Sequence, residues 1–148
     1  MDKAKVHQHC LEMVAEKMAR LEQEIAQLQQ ATSEETKSSA GDKFETSREM
    51  MKQEINKLNQ QLGLQQQFQQ QLTNLIPDQV LVEVRLGSLV QTSEGTYYLA
   101  VSLGKVSLPG QTVFAMSTAS PLAQAMLGLK AGESLDFRGR KIKLLSLS

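Results

Sequence analysis

Apolar residues in the first half of the chain recur at helical spacing and form two separate stripes. In each stripe they recur every three or four residues, a heptad-like pattern that predicts one face of a long helix. The first stripe comprises Leu11, Val14, Met18, Leu21, Ile25 and Leu28. The second comprises Met51, Ile55, Leu58 and Leu62, extended by Phe68, Leu72 and Leu75. Because one narrow stripe buries little surface alone, the two helices are predicted to pair as an antiparallel hairpin.

The segment between the stripes, residues 31–47, is polar and contains Gly41, the first glycine of the chain. We therefore expect the chain to turn within this segment, with the tip of the hairpin around residues 33–45. About 30 residues per arm, at about 1.5 Å per residue, predict arms of roughly 45 Å.

The pattern changes after Ile76. All three prolines, both tyrosines and seven of the nine glycines follow this residue, so the sequence predicts two domains, 1–76 and 77–148. Partly alternating apolar and polar residues in the second domain predict β-strands, with a hairpin turn at Glu94-Gly95. The predicted strands are residues 80–92, 96–103, 112–118, 133–137 and 141–147.

One short helix interrupts the predicted strands at residues 120–129. Ser120 suits the N-cap, Pro121 the first helical position, and Gly128 the position that ends the helix. The predicted fold class is therefore α+β. An N-terminal helical hairpin precedes a small antiparallel sheet that carries one short helix.

Composition narrows the classes of function. The chain has 16 basic and 16 acidic residues and a formal net charge of zero, which argues against binding nucleic acid by bulk charge. It has only four Phe and two Tyr, so direct RNA readout on aromatic platforms is not favoured.

The single cysteine, Cys10, fits a reducing compartment and, with His7 and His9, is interpreted as structural. No segment has the roughly 20 apolar residues of a membrane helix, and the N-terminus has no signal-like apolar run. We expect a cytoplasmic protein.

Asp42 and Glu45, near the predicted tip, allow two interpretations. An Asp at the N-cap with a Glu three residues later is a variant of the capping box. Alternatively, two carboxylates three residues apart on one helix face can share a divalent cation with waters and phosphates. Such a cation can activate water for phosphodiester hydrolysis. The spacing alone leaves both interpretations open.

Two motifs resemble those of the Gre transcript-cleavage factors. Gly41, Asp42 and Glu45 match the family's tip motif in register. Residues 120–128, SPLAQAMLG, followed by Gly132-Glu133, resemble the motif of its C-terminal domain. The order of parts, with the helical hairpin before the sheet domain, also agrees.

The resemblance implies a fold and a function. The second domain would have an FKBP-like fold that docks at the rim of the secondary channel of bacterial RNA polymerase, and the hairpin would enter that channel. Asp42 and Glu45 would stimulate the polymerase's own cleavage of backtracked RNA, acting on Mg²⁺ supplied in the polymerase active site. The chain would need no cofactor of its own and would not be a free-standing enzyme. The residues that the resemblance implies to contact the partner are Ser120, Pro121 and Gly128. Phe44, an apolar residue at the predicted tip, either packs on Met50 or Met51 or contacts the partner.

The tip departs from the family motif at several positions. Lys43 stands between the two acids, and Thr46, Arg48 and Glu49 replace the family's Asn, Glu and Tyr. Arg48 lies within one helical turn of Glu45, where it could pair with that carboxylate and weaken metal binding. Two alternatives therefore stay open. One is a cleavage-inactive regulator that binds the same channel, and the other is a coiled-coil interaction module.

Two smaller points concern the second domain. The cations Arg138, Arg140, Lys141 and Lys143 form either a solvated face or a contact surface for an acidic partner. Prolyl isomerase activity is not favoured, because it would need an aromatic-lined pocket and the domain has only Tyr97, Tyr98, Phe114 and Phe137. We expect a monomer.

Overall fold

The computed structural model of the 148-residue chain describes residues 2–38 and 42–148, and the side chains of residues 2–34 and 45–148. Two long helices come first, α1 (Lys3–Ser38) and α2 (Asp42–Thr73). A sheet with one short helix, α3 (Pro121–Met126), follows. Its strands are β1 (Leu89–Thr92), β2 (Thr96–Leu99), β3 (Gly104–Leu108), β4 (Gln111–Met116), β5 (Ser134–Phe137) and β6 (Arg140–Leu147). The predicted fold class is confirmed.

Residues Met13–Gln69 form one compact unit, in which the two helices pair. Leu21, Ile25 and Leu58 are buried there, and three further apolar side chains pack against them. These are Leu28, Ile55 and Leu62. The hydroxyl oxygen of Thr32, late in α1, lies 3.3 Å from Sδ of Met51, early in α2, so the helices run antiparallel. Every predicted stripe residue is buried or half-buried, and each fully buried aliphatic side chain contributes about 1.5–3 kcal/mol.

The helices extend further than the sequence predicted. α1 has 36 residues and α2 has 32, which corresponds to about 54 and 48 Å. Both helices continue into the segment 31–47, since α1 ends at Ser38 and α2 begins at Asp42. Ala, Glu and Lys in this segment are good helix formers, and a helix can continue past its apolar stripe without burying a further face. Gly41 lies outside the described residues.

Residues Met1–Glu12 and Gln70–Ser148 form the second compact unit, which contains the sheet. The strand order is β3-β4-β2-β1-β6-β5. All pairs are antiparallel except β2 and β4, which are parallel. The sheet is thus mixed, whereas the sequence analysis expected an antiparallel one.

The parallel pair arises from a hairpin that the sequence analysis missed. β3 and β4 are joined by Pro109-Gly110, and Leu108 is in register with Gln111. Gly110 has φ 75°, as the third position of a type II turn requires, and proline favours the position before it. β3 forms the outer edge and β4 returns between β3 and β2, so β4 runs in the direction of β2.

Residues 80–88 are not a strand, contrary to the prediction for residues 80–92. The Val84 N–H donates to Leu129 O at 2.8 Å, and its carbonyl accepts from Gly128 N at 2.9 Å. These bonds fix the segment to the end of α3 instead of to a sheet ladder. Burial does not alternate along the segment either, since Leu81 and Val84 are buried while Val80 and Val82 are each 76% exposed.

The core of the sheet unit lies between α3 and one face of the sheet. It joins Ala123 and Met126 of α3 to Val84 and to Val90, Leu99 and Leu144 of the strands. All six of these residues are almost fully buried. Within the described residues, neither long helix has an apolar stretch of the length and hydropathy needed to cross a membrane.

Candidate functional site

The acidic pair predicted from the sequence falls at the start of α2. The helix begins at Asp42, and the Glu45 side chain, one turn later, is exposed. The carboxylate of Glu45 is therefore accessible to a partner or to a metal ion. The side chains of Asp42 and Phe44 lie outside the described residues, so the capping-box and metal interpretations of the pair both stay predictions.

Arg48 does not neutralise Glu45 in this structure. Both side chains are exposed. Among the side chains that the structure describes, the one ion pair joins Arg140 to Glu94, at 3.4 Å. The pairing of Arg48 with Glu45 that the sequence suggested is thus not formed, although the positive charge still lies within a turn of the carboxylate.

The motif at residues 120–128 is built around the capped helix α3. The Ser120 side chain accepts a hydrogen bond from the Ala123 N–H at 3.3 Å, and Pro121 is the first helical residue. Gly128 has φ 86°, a conformation that favours glycine after a helix. Ala123 and Met126 are buried in the core. Much of the motif is thereby explained by the stability of α3 itself.

Part of the same motif faces outward. Pro121 is exposed, and Leu127 is 37% exposed. Ser120 is half-buried and its hydroxyl is engaged in the cap. Of the three motif residues expected to contact a partner, Pro121 and Gly128 are therefore accessible, whereas Ser120 has a structural role. Their contact with a partner stays a prediction.

A cleft of about 380 Å³ lies next to this motif. Its lining combines the end of α2 with the loop that precedes α3, and includes Leu75, Leu86 and the run 117–119. None of the lining residues is aromatic. The cleft therefore lacks the aromatic walls that the isomerase hypothesis would need.

A buried polar contact joins the first turns of α1 to the sheet. His7 Nδ1 and the Tyr98 hydroxyl are 2.7 Å apart, with the two rings edge to face. His7 is 6% exposed and Tyr98 is fully buried. Nearby, Lys3 Nζ donates to the Gln79 carbonyl at 2.6 Å. Sequence spacing could not reveal the first contact, because its partners are 91 residues apart.

Burial controls the charge of these groups. Desolvation lowers the pKa of His7, and Lys3 lowers it further, so both effects favour the neutral imidazole. Burial also lowers the pKa of Lys3 and raises the pKa of Tyr98. The pKa of the buried Cys10 thiol is raised to about 11, which makes the thiol unreactive at neutral pH. The structural interpretation of His7 and Cys10 fits these observations.

The cations near the C-terminus are exposed, as expected for one face of a strand. Lys141 and Lys143 point away from the core while Ile142 and Leu144 are buried. Arg138 lies over the Phe137 ring, with its guanidinium carbon 5.1 Å from the ring centroid. Across all described side chains, no three His, Cys, Asp or Glu residues lie close enough together to hold a metal ion.

The fold and the site define a two-part protein. A long helical hairpin has an exposed acidic residue in the first turn of its second helix, and a mixed six-stranded sheet carries a capped helix with an adjacent cleft. No family model matches the chain, and no curated protein matches it.

Similar solved structures include two of the same protein. GreA factor homolog 1 (Gfh1) of Thermus thermophilus shares 19% sequence identity, over 93% of this chain and 94% of that chain, with a TM-score of 0.39. A second structure, of the transcription factor Gfh1, shares 20% identity over 93% and 92% of the two chains, with a TM-score of 0.40.

Proposed function

We propose that this chain is a Gre-like transcription elongation factor that acts on RNA polymerase. In this proposal the sheet unit binds the polymerase and the helical hairpin enters the secondary channel. Asp42 and Glu45 then stimulate cleavage of backtracked RNA. The observation that carries the proposal is the position of the acidic pair. α2 starts at Asp42, Glu45 is exposed one turn later, and these residues follow directly on a helix of 36 residues.

The chemistry requires the polymerase. Two carboxylates are too few to hold Mg²⁺ tightly alone, but Mg²⁺ is often held by one or two carboxylates together with waters and phosphates. Asp42 and Glu45 would add ligands to a metal ion already bound by the polymerase. That ion would activate a water and stabilise the leaving oxygen. The factor would have no activity of its own and no resident cofactor, and we expect it to be a cytoplasmic monomer.

A cleavage-inactive regulator of the same channel is the second candidate. Lys43 and Arg48 add positive charge beside the acids, which would oppose binding of a cation. Among the described side chains, Glu45 and Arg48 are exposed and form no ion pair with each other, which favours the cleavage factor over this candidate. The third candidate, a coiled-coil interaction module, would use Asp42 and Glu45 only as a helix cap.

Two assays separate the three candidates. A pull-down of core RNA polymerase by the full-length chain tests binding, and a failure to bind would leave only the interaction module. Transcript cleavage in stalled, backtracked complexes then tests activity. We expect the wild type to shorten the transcript and the Asp42→Asn/Glu45→Gln variant to bind equally without doing so.

Glu49→Gln is the matched control for the loss of acidic charge. Glu49 is an exposed acid one turn beyond Glu45 on the same helix, and its removal should leave cleavage unchanged. If the wild type binds polymerase without stimulating cleavage, the regulator is correct. Arg48→Ala would then show whether the added positive charge is the cause.

A further inference from the structure

Two aromatic rings lie side by side on the sheet surface. Tyr97 of β2 and Phe114 of β4 are register partners and so share one face of the sheet. Their ring centroids are 6.3 Å apart and the ring planes are inclined by 36°. Tyr97 packs against the core cluster, whereas Phe114 is 46% exposed. One ring is therefore fixed by packing and holds a partly exposed ring beside it.

Cations flank this pair of rings. Lys105 of β3 is in register with Phe114 and is exposed, so its side chain projects beside the Phe114 ring. Near Tyr97, Arg140 forms its ion pair with Glu94, and both of these charged groups act on the Tyr97 hydroxyl. An exposed ion pair of this kind contributes little to stability, about 0–1 kcal/mol. A phosphate could therefore replace Glu94 as the partner of Arg140 at low cost.

From Phe114 towards the β3–β4 turn this face is polar, whereas the half-buried Met116 lies on the other side of Phe114. Ser107 and Thr112 are register partners two residues along from Lys105 and Phe114, which places them on the same face, and both are exposed. A protein partner that bound through Phe114 would be expected to find more apolar surface around it. Hydroxyls and cations around two rings fit a ligand with flat aromatic groups and repeated negative charges.

We propose that the face formed by Tyr97, Lys105, Phe114 and Arg140, here called the aromatic–basic face, binds a short stretch of single-stranded nucleic acid. Bases stack on Tyr97 and Phe114, while phosphates contact Lys105 and Arg140. Stacking of this kind tolerates any sequence, because every base has a π-face. A net charge of zero for the whole chain does not oppose local binding, because Lys105 and Arg140 supply positive charge beside the rings. The proposal concerns a different surface from Asp42 and Glu45.

The test uses the full-length chain and a fluorescein-labelled oligouridylate of about 12 nucleotides, with binding followed by fluorescence anisotropy. Phe114→Leu keeps an apolar side chain but removes the ring, and should weaken binding about five-fold or more. The Phe114→Tyr variant keeps an aromatic ring and should bind with the affinity of the wild type. Lys105→Gln should weaken binding and reduce the slope of log K against log salt by about 0.7.

Leu145→Ala is the matched control, because Leu145 is 59% exposed on β6 and outside the aromatic–basic face. The Leu145→Ala variant should bind the oligouridylate with the affinity of the wild type. Since Phe114 is nearly half exposed, its substitution should leave the far-ultraviolet circular dichroism spectrum unchanged, which separates lost binding from lost folding.

Several results would overturn the proposal. They are no binding of the oligouridylate by the wild type, equal binding by Phe114→Leu, equal binding of an abasic oligomer, or equal binding of a duplex. If the wild type does not bind the oligouridylate, and the Phe114→Leu variant no longer retains polymerase in a pull-down, the face is a contact surface for a protein. The anisotropy assay contains no polymerase, so its failure is distinguishable from failure of the transcription-factor proposal, on which this inference does not depend.

Discussion

The His7–Tyr98 contact is the residue-scale feature with the clearest energetic consequence. Tyr98→Phe would remove the hydroxyl and leave His7 Nδ1 buried without its partner at 2.7 Å. We expect a loss of about 1–3 kcal/mol in the free energy of unfolding, because an unsatisfied buried polar atom carries its full desolvation cost. Urea denaturation followed by circular dichroism measures this loss.

Tyr97→Phe provides the comparison for that experiment, since the Tyr97 ring is only half-buried and the His7 contact is untouched. Its unfolding free energy should stay within about 0.5 kcal/mol of the wild type. The double variant His7→Phe/Tyr98→Phe should recover part of the loss, because both polar partners are then removed together. Equal stability of Tyr98→Phe and Tyr97→Phe would show that the contact contributes nothing.

His7 also makes stability depend on pH. Its pKa in the folded protein is lowered from 6.5, first by burial and then by Lys3. The unfolded chain therefore takes up the proton more readily than the folded one. The His7 contribution is fully present above pH 6.5 and is lost as the pH falls from there through the lowered folded pKa.

Urea midpoints measured on either side of that window test the linkage. The wild type should lose stability between about pH 7.5 and pH 5.5, and His7→Phe should show a weaker dependence over the same range. Identical pH profiles for the wild type and His7→Phe would rule out His7 as the cause.

At the scale of single elements, α3 is the part that the sequence predicts best. Ser120, Pro121 and Gly128 each have a local role that depends on neighbouring backbone, so their positions alone identify the helix. The His7–Tyr98 contact and the aromatic–basic face are different. They depend on which strands become neighbours, and no local pattern carries that information.

The elements that were predicted wrongly also depend on contacts between distant parts of the chain. The alternation at residues 80–88 is typical of a strand, but the backbone of Val84 is bonded to residues 128 and 129, and tertiary contacts override the local pattern. β3 was missed although Pro109-Gly110 is a recognisable turn signal. The parallel pairing of β2 with β4 follows from that hairpin and could have been inferred with it.

The cap of α3 can be tested directly. Ser120→Ala removes the acceptor for the Ala123 N–H and should cost about 1 kcal/mol of stability. Ser120→Thr keeps the hydroxyl and should retain most of it. The measurement is the urea midpoint of each variant. If the Ser120→Ala variant had the same urea midpoint as the wild type, Ser120 would not stabilise α3. That result would favour its predicted contact with a partner.

At the scale of the whole molecule, the order of parts was predictable from the sequence. Apolar residues at helical spacing stop before Pro77, and glycines, prolines and tyrosines follow, so a hairpin before a sheet domain could be derived. The two compact units are not two consecutive halves of the chain, since residues 1–12 belong to the unit that contains the sheet. Nothing in the periodicity of α1 marks its first three turns as part of another unit.

The central claim is that the hairpin delivers Asp42 and Glu45 to a metal ion in the polymerase. If so, the factor should change how cleavage depends on magnesium and not only its rate, because added carboxylates raise the occupancy of a weakly held ion. The double variant should leave polymerase binding intact while removing this effect.

The most direct measurement is therefore the rate of transcript cleavage in backtracked complexes as Mg²⁺ is varied. It would compare no factor, the wild type, and Asp42→Asn/Glu45→Gln at saturating concentration. We predict that the wild type speeds cleavage and lowers the Mg²⁺ concentration needed for half-maximal rate, and that the variant reproduces the curve without factor. A bound wild type that leaves the curve unchanged, or a variant that matches the wild type, would contradict the account.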